Sequence, residues 1–266
     1  MAGETQETFY HLGFGRHDLV EGVKGEAPPT LAVISGDPGR AEHIARESLQ
    51  DVRTLSENRG LNSYLGRLPS GRWILSTTSG MGAPSLSIVV NELVQAGLRT
   101  VLRIGTTGAI QDGIEVGSVI VSSAALCRQG AALDIAPEGF PAVADPFLTV
   151  ALAESAERLG IAHRVGITAS VDTFYEGQER SASSANPHLL RRNLGMTEEY
   201  RHSGVLNFEM EAATLFVMGS VYGFTAGCVC AVIAQRTENE RVAADAKTLA
   251  VERAIRVALG AAERFA

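Results

Sequence analysis

The sequence predicts a single α/β domain over residues 1–266, with helices layered on both faces of a central mixed, mainly parallel sheet. Three observations point to it. Short apolar runs alternate with longer helical patterns, as in proteins that cover a parallel sheet with helices. Several of those runs are apolar almost throughout, as strands covered on both faces tend to be. No internal repeat, low-complexity tract or clear linker divides the chain.

The elements follow in order. Strand-type runs lie at 30–35, 73–77, 100–104, 118–122, 165–169 and 228–234. Helical patterns lie between them at 40–49, 84–96, 146–159 and 209–222. The first follows a Pro-Gly turn, the second and third open on Pro84 and Pro146, and the last three stop before Gly97, Gly160 and Gly223. Pro in a first turn and Gly just past a last turn are what helix ends favour. A final helix carries Val251, Ile255, Ala258, Leu259 and Ala262 at helical spacing, with Glu252, Arg253, Arg256 and Glu263 on its other face. That pattern makes it a packing helix.

Two segments invite a second reading. Residues 212–235 hold no charge and are long enough to suggest a membrane span. Gly219, Gly223 and Gly227 punctuate the run, and its second half is short and rich in β-branched and small residues. It therefore reads as a buried helix followed by a buried central strand. Residues 179–203 form the loosest region, equally a mobile flap or a surface excursion.

A chain of 266 residues, 45% apolar and 20% charged, buries a large core without a metal or disulfide staple. Its net charge of −7 argues against a broad basic face for nucleic acid, so any anionic substrate must be met by a local Arg cluster. Cys127, Cys228 and Cys230 are odd in number, and the last two are too close for an ordinary bridge. They read as small apolar core residues in a reducing compartment. The polar, acidic stretch 1–8 lacks the pattern of a secretory signal, and the expectation is a cytoplasmic protein.

Five motifs carry chemistry. Ser35-Gly36-Asp37-Pro38-Gly39-Arg40 lies between a strand and a helix, where Gly36 lets a backbone N–H approach a ligand and Arg40 can fork onto phosphate oxygens. The same stretch also serves as a plain turn. In Arg103-Ile104-Gly105-Thr106-Thr107-Gly108-Ala109 an Arg stands inside an apolar strand, which is costly without an anionic partner. That partner is either a phosphate at the strand's carboxyl end or a structural carboxylate. Asp172-Thr173-Phe174-Tyr175-Glu176-Gly177-Gln178-Glu179-Arg180 offers an aromatic face, an amide and a guanidinium, which are tools for reading a nucleobase edge and equally the decoration of a polar loop. Glu209-Met210-Glu211 places two carboxylates at a helix start, as dipole complements or as a grip on a vicinal diol. Ile233-Ala234-Gln235-Arg236-Thr237 puts another Arg at a strand end.

Taken together, in this order and at these spacings, the motifs resemble those of bacterial uridine phosphorylases within the nucleoside phosphorylase-I family, from about residue 10 to the C-terminus. His11-Leu12-Gly13 and Phe140-Pro141-Ala142-Val143-Ala144-Asp145 add to the likeness. The resemblance implies a nucleoside phosphorylase-like fold and phosphorolysis of uridine, with deoxyuridine as a further substrate, to uracil and ribose 1-phosphate. Phosphate would be held by Gly36, Arg40, Arg103 and Thr106, with Arg59 reaching in from a neighbouring subunit. Ribose would meet Met210, Glu211 and the neighbour's His11. Uracil would stack by Phe174, lie against Ile233 and be read by Gln178 and Arg180, with Arg236 near its O4 side. Gln178, Arg180 and Arg236 would also stabilise the leaving base. The family's sites are shared by pairs of subunits in a ring-shaped hexamer. No cofactor is implied beyond phosphate as co-substrate. Some members bind potassium through a Glu directly after the Arg59 position, where this chain has Gly60.

Neighbouring functions fit less well. A hydrolytic nucleosidase on this fold needs no phosphate-binding Arg at position 103. Purine-specific relatives carry an Asp after the last strand to protonate the base, whereas this chain reads Ala234-Gln235-Arg236-Thr237. A storage or sensor protein on the same fold would be expected to lose anion or sugar groups that are all kept here. Gly80-Met81-Gly82-Ala83-Pro84-Ser85 lacks the third Gly and the acidic strand end of a dinucleotide loop and reads as a tight turn.

Overall fold

The computed structural model describes residues 8–237 and 244–265; most of the acidic opening stretch lies outside them. In chain order the elements are α1 (Arg16–Gly22), β1 (Leu31–Ser35), α2 (Pro38–Ser48), β2 (Gln50–Ser56), β3 (Ser63–Arg67), β4 (Trp73–Thr78), α3 (Ala83–Ala96), β5 (Thr100–Ala109) and β6 (Val119–Arg128). There follow α4 (Gly130–Leu133), α5 (Pro146–Arg158), β7 (His163–Val171), α6 (Met196–His202), β8 (Asn207–Glu209), α7 (Ala212–Tyr222), β9 (Thr225–Gln235) and α8 (Ala244–Ala262).

The strands form one nine-stranded sheet in the order β2-β3-β4-β1-β5-β8-β7-β6-β9, and β9 also pairs with β5. That extra pairing closes β5, β8, β7, β6 and β9 into a ring. β5 is the hinge of the design. One edge runs along β9 for its full length, and the other pairs with β1 early and with β8 at Gly108 and Ala109. The sheet is mixed: β1, β4, β5 and β9 run parallel, while β8 lies antiparallel to β5 and β6 antiparallel to β9.

Strand alternation sorts the core into two layers. Ala32, Ile34, Val101, Cys228 and Cys230 pack with α3 and α7. Leu31, Val33, Leu102, Ile104, Val229 and Ala231 pack with α2, α5 and α8 on the other face. This is the expected three-layer arrangement. β1 and β4 are buried at every position, as their unbroken apolar and small-residue runs require.

Local signals set the helix ends. Asp37 caps α2 by accepting from Gly39 N at 2.9 Å, with Pro38 next, and Asp145 caps α5 by accepting from Leu148 N at 2.9 Å, with Pro146 next. Gly97 and Gly223 stop α3 and α7 in the left-handed conformation. The uncharged run 212–235 is split by Gly223 into α7 and β9, and no helix among the described residues is long and apolar enough to cross a membrane.

The structure departs from the sequence reading at three places. Glu209 ends strand β8, and helix α7 begins only at Ala212, because Glu209 caps that helix from outside. The hairpin β2–β3 was not anticipated, since β2 is an edge strand with a largely exposed, polar face. β6 extends to Arg128 beyond a register shift between Ser122 and Ala124. The 179–203 region, read as a flap or a surface excursion, holds α6 and makes the contacts described below.

Candidate active site

The site is built on the second half of β5. Arg103 points to the α7 face of the sheet and is only 4% exposed. Its guanidinium lies forward along the strand over Gly105: a Cβ at position 105 would stand 3.1 Å from Arg103 Nη2 and 2.8 Å from Cys230 Sγ. Glycine at 105 is therefore a matter of space rather than of backbone angle.

Because β8 runs antiparallel to β5, its carboxyl end turns back along β5 and carries two glutamates onto Arg103. Arg103 Nη2 donates to Glu211 Oε2, and Nε lies 3.4 Å from Glu209 Oε2. Arg103 Nη1 makes no hydrogen bond to the protein among the described residues. Of the two partners left open for this Arg, the protein thus uses carboxylates, with Nη1 and Nε left without a hydrogen bond among the described residues. Burial opposes the charge on Arg103, but Glu211 and then Glu209 outweigh it and hold the pKa above the ordinary arginine value.

The two carboxylates have different jobs. Glu209 is buried and accepts from Glu211 N and Ala212 N, both at 2.8 Å, and from Ser170 Oγ. It thereby satisfies the first N–H groups of α7. Burial raises its pKa, and the charge of Arg103 only partly offsets that. The geometry agrees, since Arg103 spends its hydrogen bond on Glu211. Glu211 stands at the cap position of α7, and its Oε1 accepts from Gly82 N at 2.6 Å. The Gly80-Met81-Gly82 loop is thus part of the site as well as a tight turn, with Gly80 and Gly82 at positive φ. Nothing in its sequence pattern announces that role.

Gly36 and Arg40 complete the anion side. A Cβ on Gly36 would stand 3.1 Å from Gly80 O, so the turn after β1 touches the loop after β4. Arg40 Nη1 donates to Ile104 O at 3.1 Å, which brings it to β5 beside Arg103. Burial and then the positive charge of Arg103 lower the Arg40 pKa. Two guanidinium groups held this close, partly out of water, favour an anion between them. Of the paired threonines, Thr107 is committed to structure, donating to Phe208 O at 2.6 Å and accepting from Asn207 Nδ2 at 2.8 Å. Thr106 is half-buried on the other side of the strand.

A second cluster sits at the far end of β5. Gly108 leaves room for it: a Cβ there would meet Arg236 Cδ at 3.0 Å and Arg180 Nη2 at 3.4 Å. Gln178 is 3% exposed; its Oε1 accepts from Arg180 Nε at 3.2 Å and its backbone carbonyl from Arg236 Nη2 at 2.7 Å. Arg180 lies over the Phe174 ring at 4.5 Å, so one face of that ring is already covered, and Arg236 lies over Phe208 at 5.2 Å. The β5–β9 register slips between Thr107 and Gly108, leaving Ile233 as the extra residue of a bulge. Met210 is half-buried between the two glutamates, and its carbonyl accepts from Gln129 Nε2.

His11 and Arg59 form a third, separate group. His11 Nδ1 lies 2.6 Å from Glu92 Oε1, Asn58 Nδ2 donates to Tyr10 O and His11 O at 2.9 Å each, and Arg59 lies over Tyr10 at 5.5 Å. His11 opens onto a groove of about 530 Å³ beside Ile88, Asn91, Asp134 and Tyr222. These contacts differ from those of the Arg103 and Gln178 clusters.

The model of the phosphorylase superfamily matches residues 30–265. The chain belongs to the phosphorylase superfamily. Among its superfamily relatives, the uridine phosphorylase of Salmonella typhimurium is 43% identical over 256 residues, covering 96% of this chain and 97% of the relative. The uridine phosphorylase of Thermococcus kodakarensis is 43% identical over 209 residues, 78% of this chain and 74% of the relative. A DeoD-type purine nucleoside phosphorylase of Actinobacillus pleuropneumoniae is 31% identical over 232 residues, 86% of this chain and 90% of the relative. Superfamily membership therefore leaves the choice of base to the site itself.

Proposed function

We propose that the chain is a uridine phosphorylase, a pentosyltransferase that uses inorganic phosphate to convert uridine reversibly to uracil and ribose 1-phosphate. The observation that carries the reading is the pairing, along β5, of an anion pocket around Arg40 and Arg103 with the Gln178–Arg180–Arg236 cluster. Glu211 lies beside the first as a carboxylate able to hold two sugar hydroxyls, and Thr106, on the same strand, is read as a further phosphate ligand.

The chemistry follows from charge. Breaking the N-glycosidic bond builds positive charge on the sugar and negative charge on the base. Phosphate held near the sugar's anomeric carbon stabilises the first and then attacks it, which is a matter of positioning and electrostatics. Gln178, Arg180 and Arg236 act on the second by donating to the departing base. Arg236 stands where a purine enzyme would need an acid, and its guanidinium suits charge on a pyrimidine oxygen. Inorganic phosphate is the co-substrate, and no other cofactor enters the reading.

The reading extends to a cytoplasmic homohexamer whose sites are shared by pairs of subunits. Support comes from His11 and Arg59. Both were expected from a neighbour, and they share one patch, held by Tyr10, Asn58 and Glu92.

The test is release of uracil from uridine by the purified protein, with and without phosphate, with inosine in parallel. Phosphate-dependent uracil release with little hypoxanthine is the expected result. Release without phosphate makes the chain a hydrolase and removes Arg40 and Arg103 from the nucleophile site.

A further inference from the structure

Glu179 stands between the two residues assigned to the base, Gln178 and Arg180, and among the described residues it is one of four non-glycine residues with positive φ, at 57°. Such a backbone is uncommon for an L-residue and persists only where its surroundings enforce it. Here the enforcement is visible. Glu179 Oε1 accepts from Gly195 N at 2.5 Å and Oε2 from Thr197 N at 2.9 Å, so one carboxylate grips the start of α6. Helix α6 is itself anchored, since Met196 and Tyr200 are buried against Ala169, Val171 and Phe208 of β7 and β8.

The turn is held from the opposite side as well. Arg236 Nη2 takes the Gln178 carbonyl, Gly177 N donates to Thr173 Oγ1 at 2.7 Å, and Arg180 N donates to Tyr175 O at 2.7 Å. Residues 173–180 are thus stretched between β9 and α6, and the only side chain joining residues 178–180 to α6 in the described contacts is Glu179.

We propose that Glu179 is a positioning residue for the leaving-group side of the site: its carboxylate, tied to Gly195 N and Thr197 N, holds the left-handed turn that aims Gln178 and Arg180 at the base. This rests on the reading of Gln178 and Arg180 as base-binding groups. Glu179 itself commits both carboxylate oxygens to the start of α6. Its removal lets the turn relax toward ordinary backbone angles and swings the two flanking side chains off their line, while Gly36 after β1, Arg40 on α2 and Arg103 on β5 keep their places.

The test compares wild type, Glu179→Ala and Glu179→Gln in uridine phosphorolysis. Misplacement of about an ångström can cost ~10²-fold in rate, so Glu179→Ala is expected to lose about 10²-fold in kcat/KM for uridine. The KM for phosphate should move by less than about twofold, because that pocket is built on other elements, the β1–α2 turn, α2 and β5. Glu179→Gln retains one acceptor and should recover roughly tenfold of the loss. Equal losses toward uridine and phosphate, or no loss in Glu179→Ala, would overturn the positioning role. Amide hydrogen exchange across residues 173–180 judges the clamp without reference to turnover: faster exchange in Glu179→Ala supports it, and unchanged protection overturns it. A wild-type protein that leaves uridine intact overturns the nucleoside reading instead, and exchange still decides whether Glu179 holds the turn.

Discussion

Arg103 and Glu211 are 108 residues apart in the chain, yet the guanidinium Nη2 of one donates to the Oε2 of the other inside the protein, with both side chains nearly sealed from solvent at 5% and 6% exposure. The pair joins the proposed phosphate pocket to the proposed sugar grip. Removing one member of a buried pair leaves the other uncompensated, at about 3–5 kcal/mol. Arg103→Ala is therefore expected to lose stability of that order in urea unfolding, together with phosphorolysis. Arg103→Lys restores the charge without the fork and should recover more stability than turnover.

Gly105 tests the space this pair needs. The Cβ of Gly105→Ala would fall 2.8 Å from Cys230 Sγ and 3.1 Å from Arg103 Nη2. Overpacking of this kind costs about 1–3 kcal/mol. The expected result is a lowered Tm together with a raised KM for phosphate, because relief requires both the Cys230 thiol and the Arg103 guanidinium to give way.

Arg180→Ala separates the two halves of the site. Loss of one donor to a developing anion is worth about 10²–10³ in kcat, and that loss is expected on uridine. The KM for phosphate should change by less than about twofold. Steady-state kinetics with each substrate varied in turn gives both numbers, and equal effects would count against the assignment.

His11 and Arg59 predict complementation. His11→Ala and Arg180→Ala should each be poorly active alone. In a mixed oligomer of the two, a site with native Arg180 can borrow native His11 from its neighbour, so co-expression should restore part of the activity. No restoration in a verified hetero-oligomer would place His11 outside the site.

Glu209 predicts a pH effect on stability. Its folded-state pKa is raised by burial, so the native protein binds that proton more tightly than the unfolded chain. Between the ordinary carboxylate pKa and the raised one, stability then falls as pH rises. Glu209→Gln should lack this component. The stability difference, wild type minus variant, is expected to decline from mildly acidic to neutral pH in denaturant unfolding, and a pH-independent difference would refute the shift.

Much of the frame was legible in the chain itself. The nearly continuous apolar runs at β1 and β9 report burial on both faces, and Pro and Gly mark the helix ends, because those signals depend on neighbours in sequence. The need of Arg103 for an anionic partner was also legible, since an Arg within an apolar strand needs one whatever the fold. Tertiary structure decided what each of them meets. The ring closure of β5 with β9 and the antiparallel entry of β8 bring Glu209 and Glu211 onto Arg103, and three residues of strand are too short to carry a pattern. The place of the Gly80-Met81-Gly82 loop against Glu211, and the grip of Glu179 on α6, likewise depend on contacts between segments far apart in the chain. A sequence states which chemical groups are available and how local segments prefer to fold; which groups face one another is a long-range geometric outcome that strand order and direction impose.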